Sequence, residues 1–356
     1  MEEKPNIKTV ARLAGVSIST VSRVLNHSST VSDELKEKVY RAIKETSYSA
    51  NPIASTLKGT KRNQIAIVVP SLRQTYYTDI IKGIGDYCYK REILPAIVET
   101  SADVEKEKNI IANLEKQWVD GIVLIPSKNG SYKNYKEHIT SLGSLSKKEQ
   151  RIPVVLAETD DFENDLDCVS VDYQYAFSCI TYHLLEIGRR RIVMLGCPSD
   201  APMHYCCLKG FREAMHEYNA KVDEGLLTDG GYTVLDGYRA MNRLLDQGLD
   251  VDGVVCSNDQ VASGALQACN ERNILVPQTM AIVGFGGVAL SIVTTPPIST
   301  IVSPRYDIGA RAAKMLFARI DGDDGPPKKV MLRPHLAIRG STLKTAVKSV
   351  ENMFAE

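Results

Sequence analysis

Residues 9–26 read TVARLAGVSISTVSRVLN. Val10, Leu13 and Ala14 recur at helical spacing, which predicts a short first helix with one apolar stripe. Gly15 interrupts it where a turn needing positive φ would sit. Ser17 then stands where a second helix needs its N-cap, and in that helix Val21, Val24 and Leu25 face inward. Ile18, Ser19, Thr20, Ser22, Arg23 and Asn26 are left facing out. A small polar face with one arginine can enter the major groove of DNA and read base edges. The stretch therefore predicts a helix-turn-helix with residues 17–26 as the recognition helix. A solvated helical hairpin would share this periodicity, so the flanking chain has to decide between the two.

Downstream, Ser32 can cap a third helix whose stripe is Leu35, Val39 and Ile43, and three helices can close around one small core. Residues 51–59 read NPIASTLKG, with Asn51 as a cap, Pro52 at the first helical position and Gly59 as a stop. So short a segment is not a stable helix alone. Residues 1–63 hold 11 Lys and Arg against 6 Asp and Glu, a net charge of +5, and the remainder carries −5 because the whole chain is neutral. A basic head on an acidic body fits a module that contacts DNA.

Residues 7–26 followed by 51–57 resemble the lactose-repressor/galactose-repressor family of bacterial transcription regulators, and the resemblance runs from about residue 7 to residue 342. It implies a helix-turn-helix head over 1–50 and a hinge helix with its linker over 51–63. Two hinge helices pair in a homodimer and push a leucine into the minor groove, where apolar wedges unstack and kink the duplex. Leu57 matches that leucine and Ala54 the small residue before it. The DNA-contacting set implied is Ser17, Ile18, Ser19, Thr20, Arg23, Asn26, Tyr48, Asn51, Ala54, Leu57 and Lys58. The partners implied are a pseudo-palindromic double-stranded DNA operator and a small-molecule effector, with repression as the default mode.

A core of nearly 300 residues exceeds a single hydrophobic core, so two lobes are expected. Apolar runs at 65–69, 96–98, 121–125 and 154–156 read as buried parallel strands, and a second series follows at 191–196, 253–257 and 281–285. Helical stretches alternate with them near 78–91, 103–117, 176–188, 209–218, 234–247 and 259–272. Two such series mean an α/β core of two doubly wound parallel sheets, with ligands bound outside the carboxyl ends of the strands. The resemblance implies a periplasmic-binding-protein-like arrangement whose lobes are not sequential. The head-proximal lobe is 64–165 plus 296–327 and the distal lobe 166–295 plus 328–342. Residues 128–151 read as a helix with a surface insertion at 144–150, and 343–356 as a tail with one apolar stripe. That stripe is too short for a stable coiled coil, so a dimer is expected rather than a tetramer.

No phosphate-binding P-loop, no G-x-S-x-G elbow and no metal-ligand spacing among the six His is present. Gly284-Phe285-Gly286-Gly287 follows a strand and is the one stretch with phosphate-loop character. Neither enzyme chemistry, nor a cofactor, nor a bound metal is expected. Eight cysteines without C-x-x-C spacing suit reduced thiols. There is no membrane-length apolar run and no secretory h-region near Met1, so the expected location is the bacterial cytoplasm, on the nucleoid.

Position by position, the resemblance implies an effector cleft at Tyr76 and Tyr77 after the first strand, Glu158 after the fourth, the stacking aromatic Tyr232, and Asn258. Tyr76 and Tyr77 could equally pack the interface between lobes. Two positions depart from the family. Cys207 replaces an arginine before Gly210-Phe211, and Gly286 replaces an acid after Phe285. With Tyr205 added, the cleft is expected to present one acid among tyrosines, which suits an aromatic or cationic ligand better than a simple hexose. A protein coregulator gripping the outside of the core is the alternative partner.

Overall fold

The computed structural model describes residues 6–25, 31–46, 48, 64–117, 119–127, 132–146, 152–159, 165–196, 203–222, 227–228 and 230–343. The chain divides into two compact units, Met1–Arg62 and Asn63–Glu356.

In the first unit, α1 (Ile7–Ala14) is capped by Asn6, whose Oδ1 accepts from the amides of Lys8 and Thr9 at 3.0 and 3.1 Å. It ends at Gly15, held at φ +66, a left-handed conformation in which any side chain would be strained. Helix α2 (Ile18–Leu25) starts one residue later than Ser17, and Ser17 Oγ accepts from the Thr20 amide at 3.1 Å, as the capping reading expects. Helix α3 (Asp33–Thr46) closes the bundle over a core of Val10, Ala11, Ala14, Val21, Val24, Val31, Val39 and Ala42. Leu13 departs from expectation, at 53% exposed. Ala11 takes its place, since residues 10, 11 and 14 share one face and small alanines let the helices approach closely.

The second unit holds two six-stranded sheets. The first contains β1 (Ile65–Val69), β2 (Ala96–Glu99), β3 (Gly121–Leu124), β4 (Val154–Ala157), β5 (Asp167–Val171) and β11 (Lys329–Leu332), in the order β11-β5-β4-β3-β1-β2 and all parallel. The second contains β6 (Ile192–Leu195), β7 (Leu227–Thr228), β8 (Gly253–Cys256), β9 (Ala281–Gly286), β10 (Ser299–Val302) and β12 (His335–Ala337), in the order β12-β10-β9-β8-β6-β7. There only β12 runs antiparallel to its neighbour. Both orders reverse direction beside their first strand, and such switch points open a crevice at the carboxyl ends of the strands.

The crossings between lobes lie a few residues away from those expected. Strands β5 and β11, at 167–171 and 329–332, belong to the first sheet, and β10, at 299–302, to the second. The chain of a doubly wound sheet leaves from the carboxyl end of a strand, so each crossing follows its strand instead of preceding it. The crossings therefore fall at Asp172, at Ser303-Pro304 and at Arg333-Pro334.

The first lobe's helices are α4 (Tyr76–Tyr89), α5 (Val104–Gln117), α6 (Tyr132–Ser146) and α12 (Arg305–Ile320). The second lobe's are α7 (Tyr173–Glu186), α8 (His204–Glu217), α9 (Val234–Asp246), α10 (Asp259–Glu271) and the short α11 (Leu290–Val293). One apolar cluster joins the lobes, with Phe285 stacked against Tyr173 (5.4 Å between centroids), Phe177 (5.8 Å) and Tyr76 (6.2 Å). Helix α6 occupies the expected helical part of 128–151 and runs on through 144–146, where the surface insertion was expected to begin; 147–150 and the tail beyond 343 lie outside the described residues. The seven described cysteines are free thiols. Among the described residues no helix is long and apolar enough to cross a membrane.

Candidate functional sites: the recognition helix and the interlobe cleft

On α2 the side chains of Ser17, Ile18, Ser19 and Arg23 are exposed, and those of Thr20 and Ser22 are half-buried. The Ser17 hydroxyl sits 2.7 Å from Ser19 Oγ and 2.8 Å from Thr20 Oγ1, so the start of the helix carries a compact hydroxyl cluster. Tyr48 is half-buried and packs against the head core, with its amide donating to the Ile43 carbonyl at 3.2 Å. Asn26, Asn51, Ala54, Leu57 and Lys58 lie outside the described residues.

Between the two lobes lies a cleft of about 860 Å³, its mouth included. Tyr76, Tyr77, Glu158, Tyr232 and Asn258 all line it, as the sequence expects. Glu158 follows β4 at φ +59, with its amide donating to the Val169 carbonyl at 2.8 Å, and its side chain is buried. Its Oε1 accepts from the Tyr76 hydroxyl at 2.8 Å and from the Tyr173 hydroxyl. Its Oε2 is buried with no hydrogen-bond partner among the described residues. Burial, with the Glu158 charge beside it, pushes the Tyr76 phenol well above its ordinary range, and the Tyr77 phenol moves the same way for the same reasons. Both are therefore neutral hydroxyls.

Tyr76 does serve the interface as well as the cleft. Its ring stands edge-on to Tyr77 at 5.7 Å, its hydroxyl lies 2.9 Å from Ser303 Oγ, and the Arg305 guanidinium lies 5.6 Å from its centroid. Arg305 also clamps the lobes together. It holds Asp79 Oδ2 of the first lobe at 2.8 and 3.0 Å and donates to the carbonyls of Gly286 and Gly287 of the second.

On the opposite wall, Asn258 is the N-cap of α10. Its Oδ1 accepts from the Val261 amide at 2.8 Å, and its Nδ2 donates to the Tyr232 carbonyl at 3.0 Å. Asp259 beside it is buried and accepts from the Thr300 hydroxyl at 2.5 Å and the Val288 amide at 2.8 Å. Burial nevertheless pushes its carboxyl up to about 6.

Three expected cleft residues are not part of the lining. Tyr205 is 73% exposed on α8, because Met203 and Cys207 take the inward positions of that turn, and it is Met203 that lines the cleft. Cys207 is buried in the apolar cluster beside Phe211. Gly286 is covered by Tyr76. At φ +125, a Cβ there would stand 3.2 Å from the Tyr76 ring and 3.5 Å from Asp259 Oδ2, so an acid in its place would meet the ring and a second buried carboxylate. Sequence reasoning missed Tyr173, Asp259, Phe285 and Ser257, each in the lining. Asp259 was within reach, since it follows Asn258 directly, but a residue's share in a lobe-to-lobe contact leaves no mark on spacing. Among the described residues the lining holds no Lys, Arg or His, and no group of three His, Cys, Asp or Glu could hold a metal ion.

Residues 6–51 match the description "Bacterial regulatory proteins, lacI family", and residues 181–342 match a periplasmic binding protein-like domain. The chain is 31% identical over 341 residues to the HTH-type transcriptional repressor PurR of Mannheimia succiniciproducens, covering 96% of this chain and 99% of that protein. It belongs to the lacI family of bacterial regulatory proteins. This lacI-family chain is also 28% identical over 335 residues to the ribose operon repressor of Escherichia coli K12, covering 94% of this chain and 99% of the repressor. Among solved structures, a complex of the transcriptional regulator CelR with cellobiose superposes with a TM-score of 0.69 at 28% identity, over 95% of this chain and 99% of that one. A lac repressor dimer bound to operator and an anti-inducer superposes at 0.83 with 22% identity, over 96% of this chain and 100% of that one, a likeness of fold. The lacI-family protein described here is thus a DNA-binding transcription regulator and not an enzyme, with a helix-turn-helix head and a periplasmic-binding-like core.

Proposed function

We propose that two copies of this regulator bind a pseudo-palindromic duplex operator on the bacterial nucleoid, one recognition helix per half-site, and repress transcription there. A small molecule in the interlobe cleft tunes that affinity. The observation that carries the reading is the outward face of α2, where Arg23 and the Ser17–Ser19–Thr20 hydroxyl cluster stand on a fully packed three-helix core. Arginine pairs bidentately with guanine edges, and short hydroxyls suit either base edges or phosphates. Ile18, exposed beside Ser19, suits contact with a thymine methyl.

Pairing of two chains is supported by the first lobe's rim. Ile97 (46% exposed) on the edge strand β2 and Leu94 (85%) just before it leave apolar side chains open to solvent at that edge. The cleft lies where the chain crosses between lobes, so a ligand that prefers one lobe arrangement biases the crossings and, through them, the segment leading to the head. Such coupling is reciprocal, and DNA must in turn change ligand affinity. Repeated selection of duplexes from a random-sequence pool with the full-length chain tests the DNA reading. The expected product is a two-fold symmetric consensus with half-sites about one helical turn apart. Enrichment of asymmetric sequences, or of none, would overturn it.

A further inference from the structure

The two acids of the cleft are not equivalent. Both oxygens of Asp259 are in use, one by the Thr300 hydroxyl and one by the Val288 amide. Both tyrosine hydroxyls that reach Glu158 land on its Oε1, and Oε2 is left buried with no partner among the described residues. A buried carboxylate oxygen without a donor is costly, so an occupant of the cleft is most stabilised when it brings the donor itself.

Charge decides which donor fits. No Lys, Arg or His is in the described lining, and the nearby Arg305 guanidinium is engaged by Asp79 and by the carbonyls of Gly286 and Gly287. Around the remaining space stand the rings of Tyr77, Tyr232 and Phe285 and the thioether of Met203. Aromatic faces attract cations and pack flat apolar bodies. A sugar would need a matched donor or acceptor for every hydroxyl; Asn258 is committed to capping α10, which leaves neutral groups such as Gln74, Ser257 and Gln260 of the lining to serve them. An anionic ligand would meet two acids and no cation in the described lining.

We propose that the cleft of this regulator takes an organic cation, whose ammonium donates to Glu158 Oε2 while a flat apolar body packs against the tyrosine and phenylalanine rings. This rests on the cleft being the effector site and names the chemical class that site selects.

A matched pair of probes tests it, because 2-phenylethylammonium and 2-phenylethanol share one body and differ in charge. In calorimetric titrations of the full-length chain the ammonium binds at least about tenfold more tightly than the alcohol. Glu158→Gln, which keeps an acceptor for both tyrosines, abolishes that preference by weakening the ammonium far more than the alcohol. Unliganded Glu158→Gln keeps the wild-type Tm, since the amide oxygen still accepts from both tyrosines. Equal affinity for the two probes, or no binding of the ammonium by the wild type, overturns the proposal without any need for the variant. Tighter binding of D-ribose or cellobiose than of the ammonium also overturns it. If that sugar changes the affinity for the selected duplex, the effector reading of the cleft survives and only the cation class falls. If the ammonium binds as expected but leaves duplex affinity unchanged, the cation class stands and the effector reading falls.

Discussion

On the first-lobe wall of the cleft Glu158 keeps one oxygen open, whereas on the second-lobe wall Asp259 and Asn258 use every polar atom on their own surroundings. Lining a pocket and reading a ligand are therefore separate properties. The second wall is a rigid frame in which a cap and a buried acid hold the start of α10 against β10 and the loop after β9. The first wall keeps an open carboxylate oxygen and can respond to what enters; beside the frame on the second wall, the Ser257 hydroxyl is also buried without a hydrogen-bond partner among the described residues. Substitutions on the two walls should differ accordingly: on the second they move stability, and on the first they move ligand selection.

The largest stability effect is expected at Asp259. Its carboxyl is pushed up to about 6 from an ordinary 3.8, so the folded state holds the proton more tightly than the unfolded chain does. Its contribution is fully present below about pH 4 and is lost as the pH rises through about 6, with a total loss on the order of 3 kcal/mol. Denaturant unfolding of the wild type and of Asp259→Asn at about pH 4 and about pH 8 isolates this group. The stability difference should shift by about 2–3 kcal/mol in favour of the variant at the higher pH. A pH-independent difference would mean that Asp259 is not the buried, strained acid of the frame.

A smaller effect is expected at Asn258. Asn258→Ala removes the N-cap of α10 and should lower stability by about 1 kcal/mol, read as a drop in Tm. If stability holds while binding of a cleft ligand is lost, Asn258 belongs with Glu158 as a reader, and the contrast between the walls fails.

The head was legible because its signals are local. Gly15 at positive φ, the Ser17 cap and the Val21–Val24 pair all act within one or two turns, and only Leu13, displaced by the smaller Ala11, breaks the pattern. The strand series was legible for the same reason, as continuous runs without a charged or polar residue at 65–69 and 281–285 lie where the sheets need them. Strands β5, β10 and β11 were harder to place, since DCVSV, STIV and KVML mix polar or charged residues into the run and which sheet each joins depends on partners far along the chain. In the cleft, Glu158 and the Tyr76–Tyr77 pair could be matched to strand ends. The exclusion of Tyr205 and Cys207 could not be foreseen, because it turns on the rotation of α8 about its axis, which residues 197–202 leave open in the sequence. The loss of an acid at position 286 becomes intelligible only when the Tyr76 ring and Asp259 are seen on either side of it.

Whether this chain reads DNA through α2 is tested most directly by fluorescence anisotropy of the selected duplex at one fixed salt concentration, since phosphate contacts make affinity strongly salt-dependent. The full-length wild type and Arg23→Ala are compared. Arg23 is exposed and outside the head core, so the variant should keep the wild-type Tm. Its affinity for the duplex should nevertheless fall by about 1–3 kcal/mol, the worth of a bidentate arginine–guanine pair. Equal affinity for the two proteins, with the duplex still bound, would contradict the reading of α2 as the recognition helix.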